Sequence, residues 1–151
     1  MKKRLIGLFS LFVVVLCFIS CSTDADEIEN NSNALSGSWQ VMTVQVSSDE
    51  FTQEAPNGEV IEITFANDGR FTGSTSNNTF GGRYELDGMV LTMLEFTTTE
   101  VADTPYAGIF YDAIEAAILP GTTRAQFDFE LSEAGTLTLR FSDSGVMALQ
   151  R

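Results

Sequence analysis

Between Gly58 and Gly88 the chain reads GEVIEITFANDGRFTGSTSNNTFGGRYELDG. Ile61, Ile63 and Phe65 alternate with Glu62, Thr64 and Ala66, the period of a strand with one buried face. Asn67-Asp68-Gly69 follows, where positive φ is cheap, so the chain turns back. Arg70-Phe71-Thr72 opens a second strand. Gly73, Gly81 and Gly82 then bracket a polar loop before Tyr84 and Leu86 resume the alternation. This stretch constrains the fold more than any other and carries no sign of a reaction.

The rest of the chain extends the pattern. A first strand is expected near Ser38–Val46, with Trp39 as its core anchor. Ser47–Asn57, with Pro56, reads as a polar loop. Strands follow near Val60–Ala66, Arg70–Ser74 and Gly82–Leu86, and Asp87-Gly88 is another turn signal. Met89–Thr98 is apolar on both parities at first (Val90, Leu91, Met93, Leu94, Phe96), as expected of a strand that is central or covered on both faces. The period then changes. Tyr106, Ile109, Phe110, Ala113, Ile114, Ala117 and Ile118 recur at three and four, which predicts one amphipathic helix over about 104–119. Thr104 suits its N-cap, Pro105 its first turn, and Asp103 adds a favourable charge there. Pro120-Gly121 is its expected end. Three short strands close the chain, around Phe127–Leu131, Leu137–Phe141 and Val146–Gln150. The fold class is therefore mainly β: about eight short strands in an antiparallel meander curling toward a barrel, phenylalanines inside, with one helix packed on it.

The N-terminus carries a processing signal. Lys2, Lys3 and Arg4 precede an apolar run from Leu5 to Ile19, the length of a signal peptide and short for a membrane-spanning helix. Phe18-Ile19-Ser20-Cys21 resembles the lipobox of bacterial lipoproteins, with Phe18 in place of the usual aliphatic residue. Bulky Leu16 makes Cys17 a poorer site. The expected organisation is a signal over 1–20, a lipidated Cys21, an acidic tether over 21–34, and one folded domain over 35–151. Acyl chains on Cys21 would each bury many methylenes at about 0.8 kcal/mol apiece, enough together to hold the protein on a membrane. Asp24, Asp26 and Glu27 resemble the acidic export signal of surface lipoproteins in Bacteroidetes-type bacteria. Outer-membrane attachment is expected, at the periplasmic face or the cell surface.

Charge and residue inventory narrow the chemistry. After the signal leaves, five arginines face 21 acidic residues, a net side-chain charge of −16. Such a field repels nucleic acid and anionic lipid. The chain has no histidine, and beyond residue 20 it has no lysine and only Cys21. Ser-His and Cys-His pairs, Ser-Lys pairs, Schiff-base lysines and His/Cys zinc sites are thereby excluded. No Asp-x-Asp/Asn-x-Asp-Gly calcium loop is present. The glycines at Gly69, Gly73, Gly81 and Gly82 precede strands rather than a helix, so phosphate-loop readings fail and turns or bulges explain them better. Asn77-Asn78-Thr79 is an incidental glycosylation match. Carboxylate chemistry remains, which needs two acids at a set separation. Glu100, Asp103, Asp112 and Glu115 lie near the helix with no diagnostic spacing. The expectation is no enzyme, no cofactor and no metal.

The spacing Gly73-x-x-Ser76-Asn77-Asn78-x-Phe80-x-Gly82-x-Tyr84 resembles the G-x-x-G-C-N-x-F-x-G-x-Y motif of the META/HslJ-like domain. The resemblance covers about 35–150, with Gly37-Ser38-Trp39 upstream, and Thr99–Asp103 and Gly135–Leu139 downstream. Two family cysteines are replaced here by Asn77 and Asp103, so no thiol role or disulfide carries over; the family glycine at Ser76 is also missing. The resemblance implies a small lipocalin-like barrel, often on a lipoprotein, in a family linked to heat shock, envelope stress, antibiotic tolerance or secretion. Gly73, Asn78, Phe80, Gly82 and Tyr84 match, and a structural role is expected of them: Asn78 bonding loop backbone, Gly82 permitting a bend, Phe80 and Tyr84 packing. The expected function is a non-enzymatic envelope lipoprotein acting through an envelope protein partner. The alternative is a lipoprotein that binds a small apolar ligand in the barrel, and a carboxylate hydrolase stands third.

Overall fold

A computed structural model describes residues 35–151. The signal, Cys21 and the tether lie outside the described residues. The elements run β1 (Gly37–Gln45), β2 (Gln53–Glu54), β3 (Glu62–Phe65), β4 (Arg70–Ser74), β5 (Thr79–Asp87), β6 (Val90–Thr98), α1 (Pro105–Ala116), β7 (Ala125–Leu131), β8 (Thr136–Phe141) and β9 (Gly145–Gln150). From β3 to β9 each strand pairs antiparallel with the next, and β1 pairs with both β3 and β9. Eight strands thus close a barrel, as the meander pattern implies. The two-residue β2 is a ninth strand, inside the stretch read as a polar loop. It sits beside β1 at Thr43 and Val44, outside the closed ring.

Closure requires each strand to keep its apolar side inward along its length, and two bulges adjust that. In β1 the register with β9 shifts between Val41 and Thr43. Met42 is the extra residue and is exposed, so the buried set passes from Trp39 and Val41 to Val44. In β6 the register with β5 shifts where Arg83 faces Glu95 and Tyr84 faces Met93. Leu94 is the extra residue there. Leu91 and Met93 point inward before it, and Phe96 joins Phe71 and Phe80 after it. The two apolar parities of β6 therefore reflect a change of face more than burial on both: Val90 and Leu94 are only half-buried.

The β6–β7 ladder covers only Val90–Met93 against Ala125–Asp128. The helix stands where the two strands part. Phe110 packs on Phe80 at 5.2 Å and Tyr111 on Phe96 at 6.3 Å, centroid to centroid. Thr104 caps α1 by accepting the Ala107 N–H, with Pro105 next to it. The helix ends at Ala116, earlier than the periodicity predicts. Ala117 N–H is shared between the carbonyls of Ala113 and Ile114, and Leu119 N–H turns to Arg124 O at 2.9 Å. Ile118 then bridges Ala125 in a short antiparallel contact. Pro120 disfavours helical geometry at Leu119, so the chain leaves the helix before reaching it.

The core joins barrel and helix. Trp39, Phe65, Phe71, Phe110 and Phe127 are its largest fully buried side chains. Phe51 is the departure among the phenylalanines, lying 87% exposed on the β1–β2 loop. At the seam, Trp39 Nε1 donates to Leu35 O at 2.7 Å. The Arg151 guanidinium lies 4.5 Å above the Trp39 ring and donates to Ser36 O at 2.6 Å.

Gly73 lies inside β4, within its expected bounds, and β5 starts three residues earlier than expected, at Thr79, so Gly81 and Gly82 are both inside it. Gly73 faces Phe80, Gly82 faces Phe71, and Gly145 faces Phe141, each in cross-strand register. At Gly73 the Phe80 ring and Glu62 O, and at Gly145 the Phe141 ring, occupy the space a Cβ would need. At Gly82 a Cβ would lie 1.9 Å from Glu95 O, beside the β6 bulge. The polar loop shrinks to Thr75–Asn78. Gly82→Ala is expected to lower the unfolding free energy by about 3 kcal/mol, because backbone cannot yield as a side-chain tip can. Gly108→Ala, in α1 where no atom lies within 4 Å of the added carbon, should raise it by about 0.5–1 kcal/mol. Urea denaturation of the two variants checks both signs.

Candidate functional site

The five motif residues fall on β4, the β4–β5 loop and β5, and one of them is a hub. Asn78 is 4% exposed. Its Nδ2 donates to Val101 O at 2.8 Å and Asp103 Oδ2 at 2.9 Å. Its Oδ1 accepts from Thr99 Oγ1 at 2.8 Å and Val101 N–H at 2.9 Å. The amide thus uses two donors and two acceptors, its full capacity. Its backbone is held as well: the N–H donates to Thr75 Oγ1, and the carbonyl accepts Thr75 N–H. One side chain therefore fastens the β4–β5 loop to the segment that leads from β6 into α1.

Asp103 is the second member of the hub. The sequence presents it as a charge at the helix N-terminus, and its Oδ1 does accept Thr104 N–H at 2.9 Å. Its Oδ2 also accepts from Thr75 Oγ1 and from Asn78. Partial desolvation pushes its carboxyl upward, yet hydrogen bonds from Thr75, Asn78 and the Thr104 and Asn77 backbones outweigh that and hold it below the usual aspartate value. A general acid needs the opposite shift. Asn77 Nδ2 adds a bond to Ala102 O at 2.9 Å. Asn77 and Asp103 thus both hold polar links between the same two segments. Thr75, Thr99 and Asp103 were missed as hub members. Their signal was the density of Thr, Asn and Asp on either side of the β5–β6 hairpin.

The other motif residues act through packing. Phe80 stacks on Phe96 at 5.4 Å and covers Gly73. Tyr84 packs edge-on against Phe65 at 5.1 Å, and its hydroxyl donates to Ala66 O at 2.7 Å. Burial, with Asp68 nearby, raises its pKa. This bond ties β5 to the Ala66–Gly69 turn, where Gly69 has φ of 78° and accepts Tyr84 N–H through its carbonyl.

Beside the hub, Thr104 Oγ1 donates to Glu59, and Tyr106 lies buried on the first turn of α1. The Tyr106 hydroxyl has no hydrogen-bond partner among the described residues. Burial first, and the Glu59 charge second, push its pKa up to about 12. Glu100 and Glu115 are exposed, and Asp112 faces solvent on α1. Among the described residues no group of three metal-ligating side chains comes together, and no helix is long and apolar enough to cross a membrane.

Three clefts open on the outside. One of about 430 Å³ lies between Ala116–Pro120 and Arg140–Asp143. A second, of about 440 Å³, lies between the β1–β2 loop and α1. A third, of about 350 Å³, is lined by Phe96, Tyr111, Ile114 and Ile118.

Barrel topology, helix position and the motif corner around Asn78 together define a small β-barrel domain with the helix α1 packed on it. The META domain matches residues 32–151, and the chain belongs to that family. No curated protein sequence matches it. Among solved structures it is similar to a protein from Burkholderia xenovorans determined by NMR, with a TM-score of 0.62 and 17% identity, over 82% of this chain and 87% of that one. It is also similar to a lipocalin-like protein from Bacteroides uniformis, with a TM-score of 0.52 and 18% identity, over 78% of this chain and 98% of that one. These likenesses support the lipocalin-like barrel.

Asp103 makes stability depend on acid in a definite direction. With its folded pKa lowered, its contribution is complete above the ordinary aspartate value and is lost as pH falls through the folded one. Thermal melts from about pH 6 to about pH 2 should show a smaller loss for Asp103→Asn than for wild type; equal losses would contradict the hub. Tyr106→Phe removes a buried hydroxyl with no partner. It should leave stability unchanged or raise it by about 1 kcal/mol, and a drop of that size in calorimetry would show a hidden bond.

Proposed function

We propose that this protein is a non-enzymatic envelope lipoprotein, anchored at the outer membrane through Cys21, whose META domain serves envelope maintenance or stress response through protein contacts. One observation carries the reading: the motif's polar side chains, Asn78 and Tyr84, are bound into the domain's own fold. That leaves the outer surface as the working part. The lipobox at Phe18–Cys21 and the acidic residues after it support the anchor and its outer-membrane destination.

The ligand reading has support outside the barrel. Trp39, Phe71, Phe127, Leu137, Leu139 and Met147 are buried together in one core, which weighs against a lipocalin-type ligand in the interior. The cleft at Phe96, Tyr111 and Ile118 is apolar enough for a small ligand on the α1 side. The hydrolase reading needs paired acids with raised pKa, and Asp103 is shifted the other way.

The test is genetic and chemical. A deletion strain should lose survival under heat and envelope-active drugs, regain it with the wild-type gene, and fail to regain it with Cys21→Ala. Labelled palmitate should mark wild type and not the variant. Survival unchanged by deletion would count against the reading. Protease shaving of intact cells assigns the membrane face.

A further inference from the structure

The cleft between the β1–β2 loop and α1 lies apart from the hub. Val44, Val46, Phe51 and Ile109 give it apolar walls, and Asp49, Glu50 and Asp112 give it acidic ones. Ile109 and Asp112 stand three residues apart on α1 and so share a face. No basic residue lines the cleft. The ion pairs among the described residues, Arg70 with Asp68 and Arg140 with Glu130, involve none of the three carboxylates.

Phe51 stands out in this cleft because it is 87% exposed on a loop that is well held. Gln45 Nε2 donates to Ser47 O at 3.0 Å and Glu50 O at 3.1 Å, while its Oε1 accepts from Thr52 Oγ1 at 3.1 Å. Ser48 N–H donates to Ser144 Oγ at 2.8 Å, fixing the loop to the β8–β9 turn. An anchored loop that keeps a phenyl ring in water forgoes the burial of a large apolar surface. A partner that covers the ring recovers it.

We infer that this cleft docks a cationic amphipathic peptide segment. An apolar side chain of the segment packs on Phe51, Val46 and Ile109, and its lysines or arginines meet Asp49, Glu50 and Asp112. Charge complementarity selects this occupant. Anionic lipid and nucleic acid are repelled. A second copy of this chain, at −16 after processing, offers the wrong sign. A neutral apolar ligand leaves the three carboxylates unmatched. The inference rests on the protein-contact reading above and names the partner's chemistry.

The experiment is fluorescence anisotropy with the full-length protein in non-ionic detergent. The probe is a fluorescein-labelled synthetic amphipathic peptide of lysine, leucine and phenylalanine. Saturable binding is expected, weakened about tenfold by Phe51→Ser. Asp49→Asn with Asp112→Asn should weaken it about fivefold and flatten its salt dependence. Asp87→Asn with Glu133→Gln, at the end of β5 and in the β7–β8 turn and outside the cleft, should leave it unchanged, and replacing the probe's lysines by glutamine should abolish it. All five substituted positions are exposed, and near-UV circular dichroism checks that each variant keeps its fold. No saturable binding, or equal weakening by the distant pair, overturns the inference. If binding fails while deletion still sensitises cells, this inference falls alone. If binding holds and deletion has no phenotype, the envelope reading falls.

Discussion

The pairing of β1 with β9 is the interaction on which the rest of the structure depends. A meander of seven antiparallel strands from β3 to β9 has two open edges, each a row of unpaired backbone groups. β1 joins both, because its first residues pair with β3 while Gln40–Gln45 pair with β9. The bulge at Met42 keeps the strand's apolar side inward across this double pairing, from Trp39 and Val41 to Val44. Once the ring is shut, Trp39, Leu137, Leu139, Met147 and Leu149 share one dry interior. The helix then covers the place where β6 and β7 separate.

The aromatic–glycine pairs serve the same closure. A strongly curved barrel of this size brings neighbouring strands and rings close on the inside. Gly73 beneath Phe80 and Gly145 beneath Phe141 give the rings room, and Gly82 lets the bulged β6 backbone come near. At this corner Gly73 and Gly82 answer steric demands of the neighbouring strands, and Asn78 supplies the polar fastening.

Much of this was legible from the chain alone. Alternation at Ile61–Phe65, Phe127–Leu131 and Leu137–Phe141 marks inward faces that the structure keeps. Thr104-Pro105 marks a helix start through local capping chemistry, which sequence reports well. What escaped depended on partners distant in sequence. The bulges at Met42 and Leu94 arise from cross-strand register. The early end of α1 arises from the Leu119–Arg124 and Ile118–Ala125 pairings, which a helical periodicity cannot contain. The close approaches that Gly73, Gly81 and Gly82 permit become visible only with their cross-strand neighbours. Asp103 reads as a helix-end charge until Thr75 and Asn78 are seen beside it. Phe51 falls in the stretch that reads as a polar loop, but the cleft its ring faces, formed with α1, depends on packing that the sequence does not show.

The Arg151 contact has a mechanical consequence. Ser36 and Arg151 meet where β1 begins and β9 ends, and these two strands run antiparallel along the seam. Tension applied between those two points would load the seam's hydrogen bonds one after another, as a zipper opens, instead of all at once in shear. The first link to part would be the guanidinium clasp on Ser36 and the Trp39 ring. Below that clasp the ladder from Gln40–Gln150 to Gln45–Val146 would follow rung by rung. A domain built this way resists heat with its whole core but resists pulling at its ends with one arginine first.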